Sequence, residues 1–392
     1  MGHSFFRLSL GLGLSVLGTI VLSAIIVGSD SDNSGCYGKI GPVKAAPERA
    51  TLEDSLVGIL ILGSVEKKFS AQENRVFPSE FVRLNTGIFL RTQDKGGQKS
   101  EQSEKEEIGE VVVRVKIGSG PDDLGVITPE EANPEGPMSF VVSGTGEIYV
   151  LDQTNSRLQV FQDGRRIKTI PIPGTVFIDL ELLPGGLIAL LDNVVDKVVV
   201  ILDQAGQVVR KISLDQEGIA EPGGITSLYC RTEGLWPGLL AQVDSNSILL
   251  AGPDGRPAPR IMTLPGILNW SGLRLLKLEM EGDRLVAVLK SDQSLQTWKK
   301  YQASFSLPVG RIYGIWEDKF ESIYLAANIF NEKKEANEVV IFEPGGRELA
   351  RISLAVSRSP HEINNPVRVT PDGAIYQLVV EGQSVVIRKY ND

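Results

Sequence analysis

One turn phrase occurs four times in this chain and limits what it can fold into. It reads Phe161-Gln-Asp-Gly-Arg-Arg-Ile-Lys-Thr-Ile170, then Leu202-Asp-Gln-Ala-Gly-Gln-Val-Val-Arg-Lys-Ile212. It returns as Leu250-Ala-Gly-Pro-Asp-Gly-Arg-Pro-Ala-Pro-Arg-Ile261 and as Phe342-Glu-Pro-Gly-Gly-Arg-Glu-Leu-Ala-Arg-Ile352. Each copy joins an apolar strand end to a second strand through a tight turn containing Gly. The second strand carries a basic residue ahead of its Ile. Self-similarity at such a period marks a β-propeller or another repeat array.

The units around these phrases begin near Met138, Val176, Ile225, Leu273, Ile312 and Val367, at the spacing of four-stranded propeller blades, about 40–50 residues. In the first unit, Met138 to Val142 is expected innermost, Glu147 to Leu151 second, Leu158 to Phe161 third and Arg166 to Ile172 outermost. Ile148-Tyr149, Ile323-Tyr324 and Ile375-Tyr376 mark the second strand of units one, five and six. The last unit supplies only three strands before the chain stops, and a lone strand, Val111 to Ile117, precedes unit one. Placing that strand beside Ser384 to Tyr390 completes the last blade and closes the ring, which limits unpaired edges. The expected fold is therefore all-β: a six-bladed β-propeller over residues 110–392 with its N-terminal strand closing the last blade.

Ahead of the propeller, residues 1–28 read as a signal anchor. Leu8 to Val27 is the longest apolar run, and a helix of about 20 residues spans a bilayer core. Arg7 precedes it and Asp30 and Asp32 follow, so the positive-inside rule places the propeller outside the cell membrane. A cleaved signal peptide, with cleavage near Ala45, is the competing reading and leaves the compartment unchanged. Residues 29–109 read as a flexible, largely disordered tether, too polar around Gln98 to Glu110 to offset its ordering entropy. A short apolar segment near residues 52–65 could be a helix capped by Thr51 and Asp54 or an added strand.

The unit from Gly136-Pro to Val160-Phe161 resembles an NHL repeat: Gly-Pro at its start, Gly146-Glu-Ile-Tyr-Val150, then Asp152, Asn155 and Arg157 before Leu158-Gln-Val-Phe161. The match is partial over units two, five and six and poor over three and four. The resemblance implies a propeller serving as a binding platform, with a few lyases among its relatives. A more distant similarity is to gluconolactonase and senescence-marker-type propellers. Those relatives imply a divalent metal, such as calcium, held by Glu, Asn and Asp, but none of their ligands can be matched to a residue here.

Several chemistries find no support. The net charge of −9 argues against nucleic acid as a partner, which needs basic patches. His3 and His361 are the only histidines, and Cys36 and Cys230 the only cysteines. That scarcity removes most His-based metal and acid–base sites, and Cys36 sits in the Gly/Ser-rich tether, which argues against pairing with Cys230. No nucleophile elbow, phosphate loop or His-Glu-x-x-His is present, so no cofactor is expected. Asp152 and Asp192 read as strand-end turn residues in preference to metal ligands. The candidate binding residues are Asn133, Trp270, His361, Glu362, Asn364 and Asn365, all assigned to one loop face together with Asn328 to Asn337. The expected function is binding of a protein or glycan partner at that face, with membrane attachment through the N-terminal helix. The alternative is a metal-assisted lactonase or hydrolase at the channel mouth, with Asp152, Asp192 and Asn365 as its ligands.

Overall fold

The computed structural model describes residues 109–131, 133–291, 296–357 and 359–390, with two short stretches, 8–13 and 19–24, near the N-terminus. Residues 109–390 form six four-stranded antiparallel sheets arranged as the blades of a propeller. From inner to outer strand, blade I is Phe140–Val142, Ile148–Asp152, Arg157–Gln162 and Arg165–Pro171. Blade II is Asp179–Leu183, Leu187–Asp192, Val198–Leu202 and Val208–Ser213, and blade III is Ile225–Arg231, Gly238–Val243, Asn246–Ala251 and Pro257–Leu264. Blade IV is Ile267–Leu268, Leu275–Met280, Leu285–Ser291 and Thr297–Ser304, and blade V is Val309–Glu317, Ile323–Phe330, Glu335–Phe342 and Glu348–Leu354. Blade VI takes Val367–Val369, Ile375–Glu381 and Ser384–Tyr390 from the C-terminus and Glu110–Lys116 as its outer strand. Ser384 faces Lys116 and Lys389 faces Glu110, so the two ends of the ring are joined in one ladder, as the missing fourth strand required.

The four turn phrases are the third-to-fourth-strand hairpins of blades I, II, III and V. Each turn holds a Gly at positive φ: Gly164 at 73°, Gly206 at 82°, Gly255 at 72° and Gly346 at 99°. An L-residue rarely adopts that conformation, so the Gly recurs because the turn needs it. A register shift falls just before each turn, at Phe161, Leu202, Ala251 and Phe342. Such a bulge sharpens the local twist and turns the outer strand away from its blade's plane.

The core lies between blades. Its apolar side chains fall into six groups, one at each seam of the ring. Between blades I and II, Leu158, Ile170, Leu180 and Leu190 are fully buried. The seam between III and IV is the thinnest, with only Leu240, Leu264, Leu268 and Leu275 buried. Polar bonds reinforce it: Arg231 Nε donates to Asn269 O at 2.6 Å, Arg231 Nη2 to Leu268 O at 2.8 Å, and Leu268 N to Tyr229 Oη at 3.2 Å.

Two expectations need correction. Blade IV does not begin near Leu273: its inner strand is Ile267–Leu268, two residues too short to stand out in sequence, and Leu275–Met280 is the second strand. Asn328 to Asn337 is not an inserted loop. Asn328 pairs with Asn337 and Phe330 with Glu335 in the ladder, and Asn328 Nδ2 donates to Asn337 Oδ1 at 2.9 Å. Cross-strand polar pairing continues the hairpin where polar composition suggested a loop.

Near the N-terminus, Leu8–Gly13 and Thr19–Ala24 pair antiparallel, Leu8 against Ala24. No described helix is long and apolar enough to cross a membrane. An apolar run of this kind reads as strand or helix on periodicity alone. The remainder of the expected anchor, and the tether with its segment at 52–65, lie outside the described residues.

Candidate functional site

Every inner strand runs from an upper to a lower face. The outer-to-next-inner connections and second-to-third-strand loops lie on the upper face. The first-to-second-strand loops and the third-to-fourth-strand hairpins lie on the lower one. The two faces treat the central channel differently. At the upper face, the connection from blade V to blade VI folds across it. Asn364 and Asn365 take Met138 O through their backbone N–H groups at 2.8 and 3.0 Å. Asn364 Nδ2 donates to Thr226 O of blade III at 2.8 Å, and Arg311 Nη2 of blade V donates to Asn364 O at 2.6 Å. One asparagine pair thus ties blades I, III and V together and plugs the channel.

Below the plug the channel is a cavity of about 1370 Å³ reaching from Asn365 to the first-to-second-strand loops. Inner-strand side chains form its wall. Asp179 and Glu181 alternate on one inner strand, Arg368 sits mid-strand in blade VI, and Arg231 and Glu317 end the inner strands of blades III and V. Asp179 is fully buried and holds three blades to its own: Ser139 Oγ donates to it at 2.5 Å, Leu228 N at 2.7 Å and Arg368 Nη2 at 2.7 Å. Glu317 takes Lys290 Nζ on Oε1 at 2.7 Å, with both side chains buried, and Arg274 and Glu321 extend the ion pairs to the surface at 3.0 Å.

Glu181 is different. It accepts Leu182 N at 2.9 Å and forms no ion pair among the described residues. Its partial exposure is to the channel, so it is far from bulk water. Burial lifts its carboxyl from near 4.5 to about 7, against the opposing pull of Arg368 and Arg231. Burial likewise lowers Arg231 and pushes the neighbouring Cys230 thiol up to about 12, which leaves it unreactive as a thiolate. The raised carboxyl has a consequence for stability. Folding favours the protonated acid, so its contribution is full below pH 4.5 and is lost as pH rises towards 7. We expect Glu181→Gln to stabilise the protein by roughly 1–3 kcal/mol at pH 8 and to leave it unchanged at pH 4.5. Urea unfolding at both pH values checks this, and equal effects at the two would refute it.

The structure divides the residues expected on one face. Asn133, His361 and Glu362 are on the upper face. His361 sits between Thr128 Oγ1 at 3.3 Å and Ser359 Oγ, and partial burial lowers its pKa. Asn364 and Asn365 lie there too, but as the plug. Trp270 is on the lower face, because the uncounted inner strand of blade IV makes residues 269–274 a first-to-second-strand loop. Asn269 is 3% exposed, and its Oδ1 accepts Ser271 Oγ, Leu273 N and Arg274 N, each at 3.1 Å. The sequon there serves a turn.

Asp192 is the turn residue expected, while Asp152 takes no backbone N–H of its following turn and instead fastens its strand end to Gly125. Asp152 accepts Gly125 N at 2.7 Å, Arg157 Nε at 2.6 Å and Asn155 Nδ2 at 3.0 Å. Asp192 accepts the N–H groups of Val194, Val195 and Asp196. Among the described residues no three His, Cys, Asp or Glu side chains are grouped to hold a metal ion. The residues missed by sequence reasoning are Glu181, Arg231, Glu317 and Arg368. Their signal was a charge inside or ending an innermost strand: Asp-Leu-Glu-Leu-Leu, Tyr-Cys-Arg, Ile-Trp-Glu and Val-Arg-Val.

No family model matches the sequence, and no curated relative was found. The NHL resemblance of blade I therefore rests on its residues alone. Solved structures with a similar trace include a virginiamycin B lyase from Staphylococcus aureus, at 11% identity and a TM-score of 0.38, over 68% of this chain and 99% of that one. U3-55K is similar at 12% identity and 0.41, over 70% of this chain and 100% of its own. A chain of a mitotic checkpoint complex is similar at 11% and 0.40, over 79% and 100%. Likenesses this remote decide nothing about chemistry, which the side chains of the channel must settle.

Proposed function

We propose that this protein is a membrane-tethered, extracytoplasmic propeller that binds a protein or glycan partner, and that it does so at its lower face. One observation carries the choice of face. Leu235, Trp270, Leu273 and Phe320 are 38, 43, 49 and 61% exposed, all on first-to-second-strand loops of blades III, IV and V. These loops are joined: Leu235 N donates to Gly272 O at 3.0 Å, and Arg274 pairs with Glu321 at 3.0 Å. Clustered large apolar groups at a cavity mouth mark a recognition surface. The upper face also carries exposed apolar side chains, Val194 and Val195 at 66 and 64%, but the channel below that face is plugged. The apolar N-terminal run and the orientation of its flanking charges support the tether and the compartment. Protease added to intact or outer-permeabilised cells should digest the propeller or its tether; full protection, with a control digested, would sink that part.

The face is tested by screening glycan and peptide arrays with residues 109–392. Trp270→Ala with Leu273→Ser should abolish specific signals. His361→Ala with Glu362→Ala should preserve both the signals and the melting temperature, because these loop side chains contribute little packing. The opposite pattern would return the site to the upper face.

A further inference from the structure

The channel above this rim has a composition that selects a kind of ligand. Glu317 is 0% exposed at its side chain and lines the cavity. Lys290 occupies its Oε1, yet its Oε2 is buried with no hydrogen-bond partner in the protein. A buried carboxylate oxygen left unpaired costs free energy, but a side chain with no exposed surface offers nothing to a ligand, so the acceptor must come from elsewhere on the wall. Glu181, on the second blade's inner strand, offers that acceptor capacity. Arg231 and Arg368 spend three N–H bonds each on the wall. A guanidinium carries five donors, so each keeps two. The wall therefore presents donors and acceptors together.

Its charges nearly cancel: the four acids Glu181, Glu233, Glu317 and Asp372 stand against the three bases Arg231, Lys319 and Arg368. Glu181 titrates near neutrality, so no strong field of either sign favours a charged ligand. Aromatic rings complete the lining, with Trp270 at the mouth and Trp316 and Tyr229 further in. Trp316 is accommodated by Gly314, where a Cβ would come within 2.5 Å of the indole. A cavity of about 1370 Å³ exceeds the ~300–1,000 Å³ typical of small-molecule pockets.

From these features, and resting on the lower-face reading above, we infer that the channel takes a neutral oligosaccharide chain end. Its hydroxyl groups both donate and accept, matching the mixed wall, and its ring faces stack on the tryptophans as apolar surface does on aromatic surface. Glu181 accepts from hydroxyls, while Arg231 and Arg368 donate to them.

Calorimetry of residues 109–392 with maltohexaose, cellohexaose, chitohexaose and laminarihexaose tests this, with hexalysine as the cationic control. At least one saccharide should bind saturably with a Kd of about 1 mM or tighter. Trp270→Ala and Glu181→Ala should each weaken it by about tenfold or more, with neither melting temperature lowered and His361→Ala without effect. No saturable saccharide, saturable hexalysine in its place, or unchanged affinity in either variant would overturn the inference. Array signals on peptides that depend on Trp270, alongside saccharide failure, would refute the ligand class and leave the lower-face reading standing.

Discussion

A chain beginning at Gly118 should fail to fold cooperatively. It lacks only the outer strand of blade VI, yet that strand carries the hydrogen-bond ladder that joins the two ends of the ring. Its removal exposes the ladder of Ser384–Tyr390 and strips Val113 and Val115, 2 and 7% exposed, from the seam with blade I. Each buried Val is worth about 1.5–3 kcal/mol, and the free edge invites aggregation. A chain beginning at Gly109 is the control and should melt like the full protein. Thermal unfolding followed by circular dichroism checks the pair; a Gly118 chain melting within a few degrees of the control would remove the closure argument. Refolding should be slow as well, because the closing contact joins positions 116 and 384 and long-range pairing must precede its reward.

Asp179→Ala should cost about 3–5 kcal/mol, the effect of breaking a buried ion pair from one side. The loss leaves Arg368 uncompensated in the channel and Leu228 N without its acceptor, so three blade contacts fail together. Asp179→Asn keeps an acceptor for Leu228 N and should lose about half as much. Asp179→Leu with Arg368→Met should recover part of the loss, since it leaves no unpaired charge. Urea unfolding of the three variants distinguishes these levels. A cost below about 1 kcal/mol for Asp179→Ala would show that the hub is not structural.

The contrast between fold and site in legibility has a physical origin. Turn glycines are dictated locally by backbone conformation, so Gly164, Gly206, Gly255 and Gly346 announce four blades through sequence alone. The closing strand was equally visible, as an apolar alternating segment with no partner nearby. A channel is different, because its wall takes one short strand from every blade and the residues meet only in the ring. Glu181 and Arg368 are 187 positions apart, and nothing local marks them as neighbours in one field. The inner strand of blade IV shows how little separates the two outcomes. Ile267 and Leu268 form too short a strand to notice, and missing it moved Trp270 to the opposite face. Asn364 and Asn365 looked available because Asn in a loop is commonly solvated; their amides instead span the ring.

The closing strand also sets how the propeller carries load. Glu110 leaves the ring at the lower face beside Tyr390. Antiparallel ladder bonds lie across the strand direction, from Ser384 opposite Lys116 to Lys389 opposite Glu110. Tension drawn along the strand loads all of them in shear, and they must yield together. Tension drawn sideways peels them one at a time, starting at Glu110. The same ladder is therefore a strong fastening for a pull in line with the strand and a zipper for a pull across it.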